Sequence, residues 1–260
     1  MISVIVPTLN EAQSIGPCLR SLSRQSLDRR DYEVIVVDGG SSDGTVSIAQ
    51  GLADRVIMQR GRGIGGARRD GALAAVGEIL AFTDADTNVS YCWLEEVQLN
   101  LKRYQASTGP VMYIQPDIKA ELLRRWRDLY RILNPLNFYY MIGSNMGVRA
   151  DAYRRIGGHS DISLLDDYDL SVRLFREGAR VTYDPRQVVY TSSRRAERLV
   201  AYSLLVAYGH YNYLLSDRGR LLNYPKSEDM CWRTVLPYGH RFHPGHTVRT
   251  CLDRAIRRIP

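Results

Sequence analysis

Residues 78–87 read EILAFTDADT. The first half is a short apolar run after Gly77, which predicts a buried strand over 78–83. Asp84 and Asp86 follow where that strand stops, and the alternation of side chains along an extended backbone points both carboxylates the same way. Two anions held this close need a compensating cation. A divalent metal carrying a diphosphate fits, because hard cations bind carboxylate and phosphate oxygens. The plainer interpretation is a polar turn that caps the strand.

Apolar strands alternate with helical patterns before this stretch. Strands are predicted over 2–6, 33–37 and 56–58, and helices over 11–22, 45–52 and 67–76. Because each predicted strand is apolar throughout, the pattern predicts an α/β fold whose mostly parallel sheet has helices on both faces. Ligands bind outside the carboxyl ends of the strands in such sheets. Residues 7–11, 38–44 and 83–87 lie at such ends and are expected to converge on one crevice.

A second acidic cluster, residues 165–170 (LDDYDL), opens a predicted helix that ends near Gly178. One aspartate is enough for an N-cap, and three acids so close together are expected to raise one another's pKa values. A carboxylate that faces a carboxylate–metal site suits general-base catalysis, in which it takes the proton of a hydroxyl. The cluster therefore favours an enzyme active site.

Composition and charge limit the classes of partner. The chain has 260 residues, a net charge of +7 and a pI of about 9.3, which suits a partner rich in phosphate. No nucleic-acid module is recognisable in the sequence, so nucleic acid is not the expected partner. Scattered cysteines and the lack of a signal peptide indicate a cytoplasmic protein. The α/β alternation stops near residue 195. Residues 1–195 are therefore expected to form one domain, and residues 196–260 a basic, Tyr- and His-rich helical extension packed on it.

The glycine-rich segment 61–67 (GRGIGGA) offers a rival function. Its GxGxxG spacing follows a predicted strand and precedes a helix, and Asp84 ends the next strand, as in a dinucleotide-binding fingerprint. An NAD-dependent oxidoreductase that uses Gly61 to Gly66 is therefore an alternative. The fingerprint usually belongs to the first β–α unit, whereas two strands with polar tips precede this segment, so we rank the oxidoreductase lower.

The ordered set of motifs over about residues 1–195 resembles the family 2 glycosyltransferases of GT-A fold, an inverting group that includes dolichyl-phosphate mannose synthases and bacterial polysaccharide transferases. The similar segments are 3–11 (SVIVPTLNE), 36–45 (VVDGGSSDGT), 61–71 (GRGIGGARRDG), 84–86 (DAD), 144–158 (SNMGVRADAYRRIGG) and 165–170 (LDDYDL). The resemblance implies transfer of a sugar from a UDP- or GDP-linked donor to an acceptor hydroxyl or lipid phosphate, with inversion. The acceptor is then a glycan or a polyprenyl-type lipid. A retaining transferase of the same fold stays an alternative.

The resemblance also implies roles for single residues. It makes Asp167 the catalytic base and Asp38 a contact of the nucleotide's base. Asp86, with Asp84, is the expected ligand of Mg²⁺ or Mn²⁺, and Asn88 is expected to add a contact to the ion. The other residues expected to line the nucleotide pocket are Pro7, Thr8, Asn10, Glu11, Gly39, Gly63, Arg68 and Ala85.

Two departures from the family pattern affect the expected site. Residues 188–195 (VVYTSSRR) lack the His that some relatives supply to the metal. Arg194 and Arg195 could instead close over the diphosphate, and a solvated surface run is the alternative. His159 follows a Gly pair where the family commonly has an aromatic residue, and it is expected to alter the acceptor pocket.

An amphipathic helix whose apolar stripe is flanked by arginines is predicted after residue 117. Its apolar stripe consists of Ile118, Leu122, Trp126, Leu129 and Leu133. Such a helix either docks on the protein core or lies on an anionic membrane surface, and the Tyr-rich residues 199–215 raise the same question. These segments suggest a lipid-phosphate acceptor and a peripheral position at the inner face of the membrane.

Overall fold

The computed structural model describes residues 1–115, 117–136 and 138–194, without the side chains of Arg127 and Tyr130. The strands are β1 (Ile2–Thr8), β2 (Tyr32–Asp38), β3 (Arg55–Met58), β4 (Ile79–Phe82), β5 (Thr87–Val89), β6 (Ala106–Thr108), β7 (Val111–Tyr113), β8 (Met146–Arg149), β9 (Val181–Tyr183) and β10 (Val189–Thr191). The α-helices are α1 (Ile15–Leu22), α2 (Thr45–Gln50), α3 (Gly63–Ala74), α4 (Trp93–Leu101), α5 (Ile118–Asp128), α6 (Ala150–Arg155) and α7 (Asp166–Arg176), and 3-10 helices occupy Arg29–Asp31 and Leu129–Leu136. The predicted extension, residues 196–260, lies outside the described residues.

A seven-stranded sheet forms the centre of the molecule, with the strand order β3-β2-β1-β4-β8-β6-β9. The strands β3, β2, β1 and β4 are parallel, whereas β8 runs antiparallel between β4 and β6. The edge strand β9 pairs parallel with β6. The prediction of a mostly parallel sheet is therefore confirmed. The carboxyl ends of β2, β1 and β4 lie side by side, so the loops that follow these strands meet at one edge of the sheet.

Helices cover both faces of this sheet. Along β1, Val4 and Val6 belong to one hydrophobic cluster and Ile5 to the other, because successive side chains alternate across a strand. Side chains of α1 and α4 complete the first cluster, and side chains of α3, α6 and α7 complete the second. Burial on two faces is the reason that the strands are apolar throughout.

A smaller sheet of three strands, in the order β5-β10-β7, begins directly after the turn at Asp84 to Asp86. The strand β10 pairs antiparallel with β5 and parallel with β7. The sequence pattern predicted neither this sheet nor α4. Strands of three residues are too short to show a periodicity, so only the folded chain reveals them.

The helix α5 and the 3-10 helix after it turn an apolar face outward. Ala120 and Leu123 are buried, whereas Ile118 is 81% exposed and Leu122 and Leu129 are also exposed. The alternative that the predicted stripe docks on the core is therefore wrong for these positions, since the helix rests on the protein through its other side. Within the described part of the chain, no helix combines the length and the hydrophobicity that a membrane-crossing segment needs.

Candidate active site

A cleft of about 540 Å³ lies where β1, β2 and β4 end. It is lined by residues that follow these three strands, by the start of α3, by residues 142–144 before β8 and by the start of α7. Of the residues predicted for the site, those that line the cleft are Pro7, Thr8, Glu11, Gly39, Gly63, Arg68, Asp84, Ala85, Asp86, Asp167 and Arg194. The structure thus brings the two acidic motifs, distant in sequence, to one cleft.

The Asp84 and Asp86 side chains lie on a turn between β4 and β5, where the N–H of Thr87 donates to the carbonyl oxygen of Asp84 at 3.1 Å. The prediction that the extended strand continues through both residues is wrong. Each carboxylate instead has its own arginine. The Nη2 of Arg68 lies 2.6 Å from Oδ1 of Asp84, and the Nη2 of Arg194 lies 3.1 Å from Oδ2 of Asp86. In this structure, the positive charge that two close anions need comes from the protein itself.

Arg68 is a buried bridge between the two acidic motifs. It projects from α3, is 2% exposed, and donates to Asp84 and Asp166. Burial opposes its charge, but the carboxylates of Asp166 and Asp84 outweigh burial and raise the pKa of Arg68. Burial also raises the pKa of Asp166 to about 6, although the charge of Arg68 opposes the shift. Arg68 was expected to contact the nucleotide. Its two terminal nitrogens instead bind the carboxylates of Asp166 and Asp84.

The glycine-rich segment is explained by close packing. Gly63 opens α3 with a φ of +65°, and a Cβ there would lie 2.1 Å from Oγ of Ser163. A Cβ at Gly65 would lie 2.2 Å from the carbonyl oxygen of Ser160. The first turn of α3 thus packs against the backbone of residues 160–163, which only glycine permits at these positions. The packing accounts for these glycines without a dinucleotide.

Asp167 presents its carboxylate to the cleft from the first turn of α7. The N–H of Gly143 donates to Oδ2 at 3.0 Å, and the hydroxyl of Tyr140 donates to Oδ1 at 3.3 Å. Both donors belong to the segment before β8, so two separate parts of the chain fix the orientation of this carboxylate. A held carboxylate at a cleft wall is suited to accept a proton from a bound group.

The other two aspartates of the cluster have internal partners. Asp166 pairs with Arg68, and Asp169 pairs with Arg173 at 2.6 Å. The helix α7 has no side-chain N-cap hydrogen bond, so none of the three aspartates acts as its cap. The expected rise in pKa is confirmed for Asp166, where burial is the main cause and the charge of Asp167 adds to it. The cluster therefore consists of one acid in the cleft and two that bind arginines.

Glu11 and Asp86 share the guanidinium of Arg194. Its Nη2 lies 2.7 Å from Oε1 and 2.9 Å from Oε2 of Glu11, besides its contact with Asp86. Burial raises the pKa of Glu11, although the charge of Arg194 favours the ionised form. Arg194 thus lies in the cleft, and Arg195 lies outside the described residues.

Three predicted site residues do not line the cleft. Asp38 is 1% exposed and its carboxylate accepts two backbone N–H groups of the following turn at 2.9 Å, so its charge holds that turn. Asn10 accepts the N–H of Ser42 at 2.8 Å and joins two loops. Asn88 lies within β5, paired with Tyr190 of β10. These positions support the cleft from outside its lining.

Two further features differ from the sequence expectations. His159 is buried, with its Nδ1 2.8 Å from the hydroxyl of Tyr153 and its ring edge-on to Phe82, so it packs in the core and is not among the residues that line the cleft. Sequence reasoning missed a cleft wall formed by Tyr140, Ile142, Gly143 and Ser144, although the Gly-Ser-Asn run before β8 is typical of a loop.

The carboxylates of the cleft suit a hard divalent cation. Such an ion takes one or two carboxylates together with phosphate oxygens. Glu11 and Asp86 already converge on one positive group, whereas Asp84 is held by Arg68. Among residues 1–194, as far as they are described, no cluster of three or more His, Cys, Asp or Glu forms a metal site on its own.

Comparison with known proteins gives consistent similarities. Residues 3–157 match the family model for glycosyl transferase family 2. The chain is 30% identical over 193 residues to a PGL/p-HBAD biosynthesis glycosyltransferase of Mycobacterium bovis, which covers 70% of this chain and 72% of that protein. It is 39% identical over 116 residues to the dolichyl-phosphate beta-glucosyltransferase of Drosophila melanogaster, over 39% of this chain and 36% of the fly protein. Among the curated relatives, the chain spans as little as 33% of the relative's length.

The fold is similar to that of a solved enzyme. The crystal structure of glucosyl-3-phosphoglycerate synthase from Mycobacterium tuberculosis, in complex with Mn²⁺, UDP and glucosyl-3-phosphoglycerate, matches with a TM-score of 0.62 and 20% sequence identity. The match covers 82% of this chain and 79% of that one. It confirms the predicted GT-A-like α/β fold.

Proposed function

The chain belongs to glycosyl transferase family 2, a family of transferase enzymes, and from that membership we propose that it moves a sugar from a nucleotide-diphosphate sugar to an acceptor hydroxyl or lipid phosphate, with a divalent metal ion and with inversion. One observation carries the proposal: Asp167 and the Asp84–Asp86 turn line the same cleft. A transfer in one displacement needs an acceptor-side base and a donor-side charge site that face one pocket, and this cleft holds candidates for both.

In the proposed reaction, the acceptor oxygen attacks the anomeric carbon from the side of Asp167. A bond forms between these two atoms while the bond from the anomeric carbon to the diphosphate oxygen breaks. The nucleoside diphosphate leaves with that electron pair, and the proton of a hydroxyl acceptor passes to the Asp167 carboxylate. A phosphate acceptor is already ionised, so Asp167 then mainly orients it. The N–H of Gly143 and the hydroxyl of Tyr140 hold the carboxylate in place.

The metal site of the proposal consists of Asp86 with Asp84. When bound, Mg²⁺ or Mn²⁺ supplies positive charge that stabilises the departing diphosphate. The protein's own part is to hold the carboxylates. The hydroxyl of Thr191 lies 3.4 Å from Oδ1 of Asp86, and the N–H of Ser192 donates to the carbonyl oxygen of the same residue at 3.2 Å. The metal- and UDP-bound state of the similar mycobacterial synthase supports the proposal of a divalent metal and a nucleotide donor.

The donor is tested by thermal unfolding of the full chain with UDP-, GDP- and dTDP-sugars, each with and without Mn²⁺. A ligand that binds only the folded chain stabilises it by about 2.7 kcal/mol at a concentration 100 times its Kd. This stabilisation raises the melting temperature. We expect one nucleotide class to raise the melting temperature, and more so with the metal. If no nucleotide sugar changes it, the proposed donor is wrong.

The stereochemical outcome separates the proposal from its nearest rival. A retaining transferase shares the nucleotide loops and the DxD motif, so the cleft alone fits both. The configuration of the new glycosidic bond, read by NMR of the first product formed, decides between them. The family match includes residues 61–66, so it disfavours the oxidoreductase alternative.

The acceptor is proposed to be a lipid phosphate or a lipid-linked glycan at an anionic membrane surface. The support is the outward apolar face of α5 and the next 3-10 helix, where Ile118 is 81% and Ile132 is 79% exposed. Exposed Lys119 and Arg125 lie on the same helix, as on helices that bind anionic lipid headgroups. The similarity to a dolichyl-phosphate beta-glucosyltransferase is in keeping with such an acceptor. A cytoplasmic protein bound to the inner membrane face follows from this proposal.

A further inference from the structure

Two arginines neutralise acidic residues of the cleft, and they differ in how firmly they are fixed. The Arg68 side chain is 3% exposed and lies between Asp84 and Asp166. The Arg194 side chain is 46% exposed and projects from the segment after β10. Moving Arg68 would leave buried carboxylates without a partner, whereas Arg194 can move into solvent without disturbing the core.

The Arg194 contact has the form of a cation site. A single atom, its Nη2, lies 2.7 Å and 2.9 Å from the two oxygens of Glu11 and 3.1 Å from Oδ2 of Asp86. These oxygens come from the loop after β1 and from the turn after β4. Hard oxygens from two carboxylates around one positive atom are also the surroundings that Mg²⁺ and Mn²⁺ prefer. A guanidinium and a metal ion cannot occupy this place together.

The two carboxylates need a positive charge between them. Their side chains are only 20% and 16% exposed, so solvent screens their repulsion poorly. If Arg194 left without a replacement, like charges would face each other; if a metal ion replaced it, they would stay neutralised.

We infer that Arg194 is an exchangeable counter-ion of the Glu11–Asp86 pair, which competes with the metal ion and gives up the two carboxylates when that ion binds. The inference rests on the proposed function, because that function brings a metal ion to the cleft. It adds Glu11 to the metal-binding carboxylates and gives the segment after β10 a defined movement on metal binding. The freed guanidinium remains beside the cleft, where an anionic diphosphate is a suitable new partner.

The test measures Mn²⁺ binding by the full chain without any nucleotide. The free ion is followed by electron paramagnetic resonance during titration, so no turnover is needed. We expect Arg194→Gln to bind Mn²⁺ about fivefold to tenfold more tightly than the wild type, because the competing cation is gone. Arg194→Lys keeps a cation and is expected to stay close to the wild type. Adding Asp86→Asn to Arg194→Gln is expected to remove the gain.

Arg186→Gln is the matched control. Arg186 also bridges two carboxylates, those of Asp184 at 3.0 Å and Glu96 at 3.1 Å, but it is outside the cleft lining and 65% exposed. Its substitution is expected to leave Mn²⁺ binding unchanged. Thermal melting of each variant checks that it is folded.

Equal or weaker Mn²⁺ binding by Arg194→Gln would overturn the inference, and so would a gain that survives Asp86→Asn. The test is separate from that of the proposed function. If the wild-type chain binds Mn²⁺ but no nucleotide sugar changes its melting temperature, the proposed donor is wrong. The Mn²⁺ affinities of the Arg194 variants still show whether Arg194 competes with the metal ion.

Discussion

Asp167 is the residue on which the proposed chemistry depends. Its carboxylate is held by an N–H and a hydroxyl from the segment before β8, so an amide of the same shape keeps much of the geometry but cannot take a proton. We expect Asp167→Asn to lower kcat by about 10²- to 10⁴-fold, the usual contribution of general acid–base catalysis. Binding of the nucleotide sugar should stay near normal, as measured by calorimetry.

The control for this substitution is Asp151→Asn, at an exposed aspartate of α6. It changes the charge by the same amount away from the cleft and is expected to leave turnover unchanged. Turnover at the wild-type rate in Asp167→Asn would end the assignment of the base. The loss applies to a hydroxyl acceptor and should be smaller for a phosphate acceptor, which carries no proton to remove.

Asp166 should make stability depend on pH. Its folded-state pKa of about 6 lies above that of an exposed aspartate, so the folded chain binds a proton more readily than the unfolded chain. The resulting stabilisation is fully present below about pH 4 and is lost as the pH rises through 6. We therefore expect the wild type to lose stability relative to Asp166→Asn as the pH rises from 4 to 7, by a few kcal/mol at most (about 1.4 kcal/mol for each pKa unit). Urea unfolding of both proteins at several pH values measures this difference, and a constant difference would contradict it.

The start of α3 shows how one element positions several parts of the site. Gly63 combines a φ of +65° with a Cβ position 2.1 Å from Ser163, whereas Gly157 has a φ of +77° and open space around its Cβ position. Alanine at either residue meets the same backbone strain, of about 1–2 kcal/mol. Only Gly63→Ala also forces α3 away from residues 160–163. We expect it to cost about 1–3 kcal/mol more than Gly157→Ala in chemical unfolding, and equal losses would show that the packing is not tight.

The outward apolar face of α5 and the following 3-10 helix can be tested as a membrane-binding surface. We expect the wild type to float with vesicles that contain anionic lipid, and the combined variant Ile118→Ser, Leu122→Ser and Ile132→Ser to float much less. Serine at exposed Leu73 and Val76, near the end of α3, is the control for a general loss of surface hydrophobicity. If the wild type does not float, a membrane is not the partner of this face.

For the molecule as a whole, the sequence predicted those features that depend on a local pattern of apolar and polar residues. Apolar runs predicted β1, β2 and β4, and the polar residues after them predicted the position of the cleft. The partners of the acids could not be predicted, because Arg194 reaches Asp86 across 108 residues of sequence and no spacing rule covers such a distance. The short strands of the second sheet were missed for a similar reason, since they exist only through their pairing.

The placement of β10 has a consequence for biosynthesis. This late strand lies between β5 and β7, and the hydroxyl of Thr87 donates to that of Thr191 across 104 residues of sequence. A nascent chain emerging from the ribosome can pair its early parallel strands long before the wall beside Asp86 exists. Closing so long a loop is slow, so β10 docking is expected to be a late step of maturation. Newly made molecules therefore gain a complete cleft only after nearly two hundred residues have been translated.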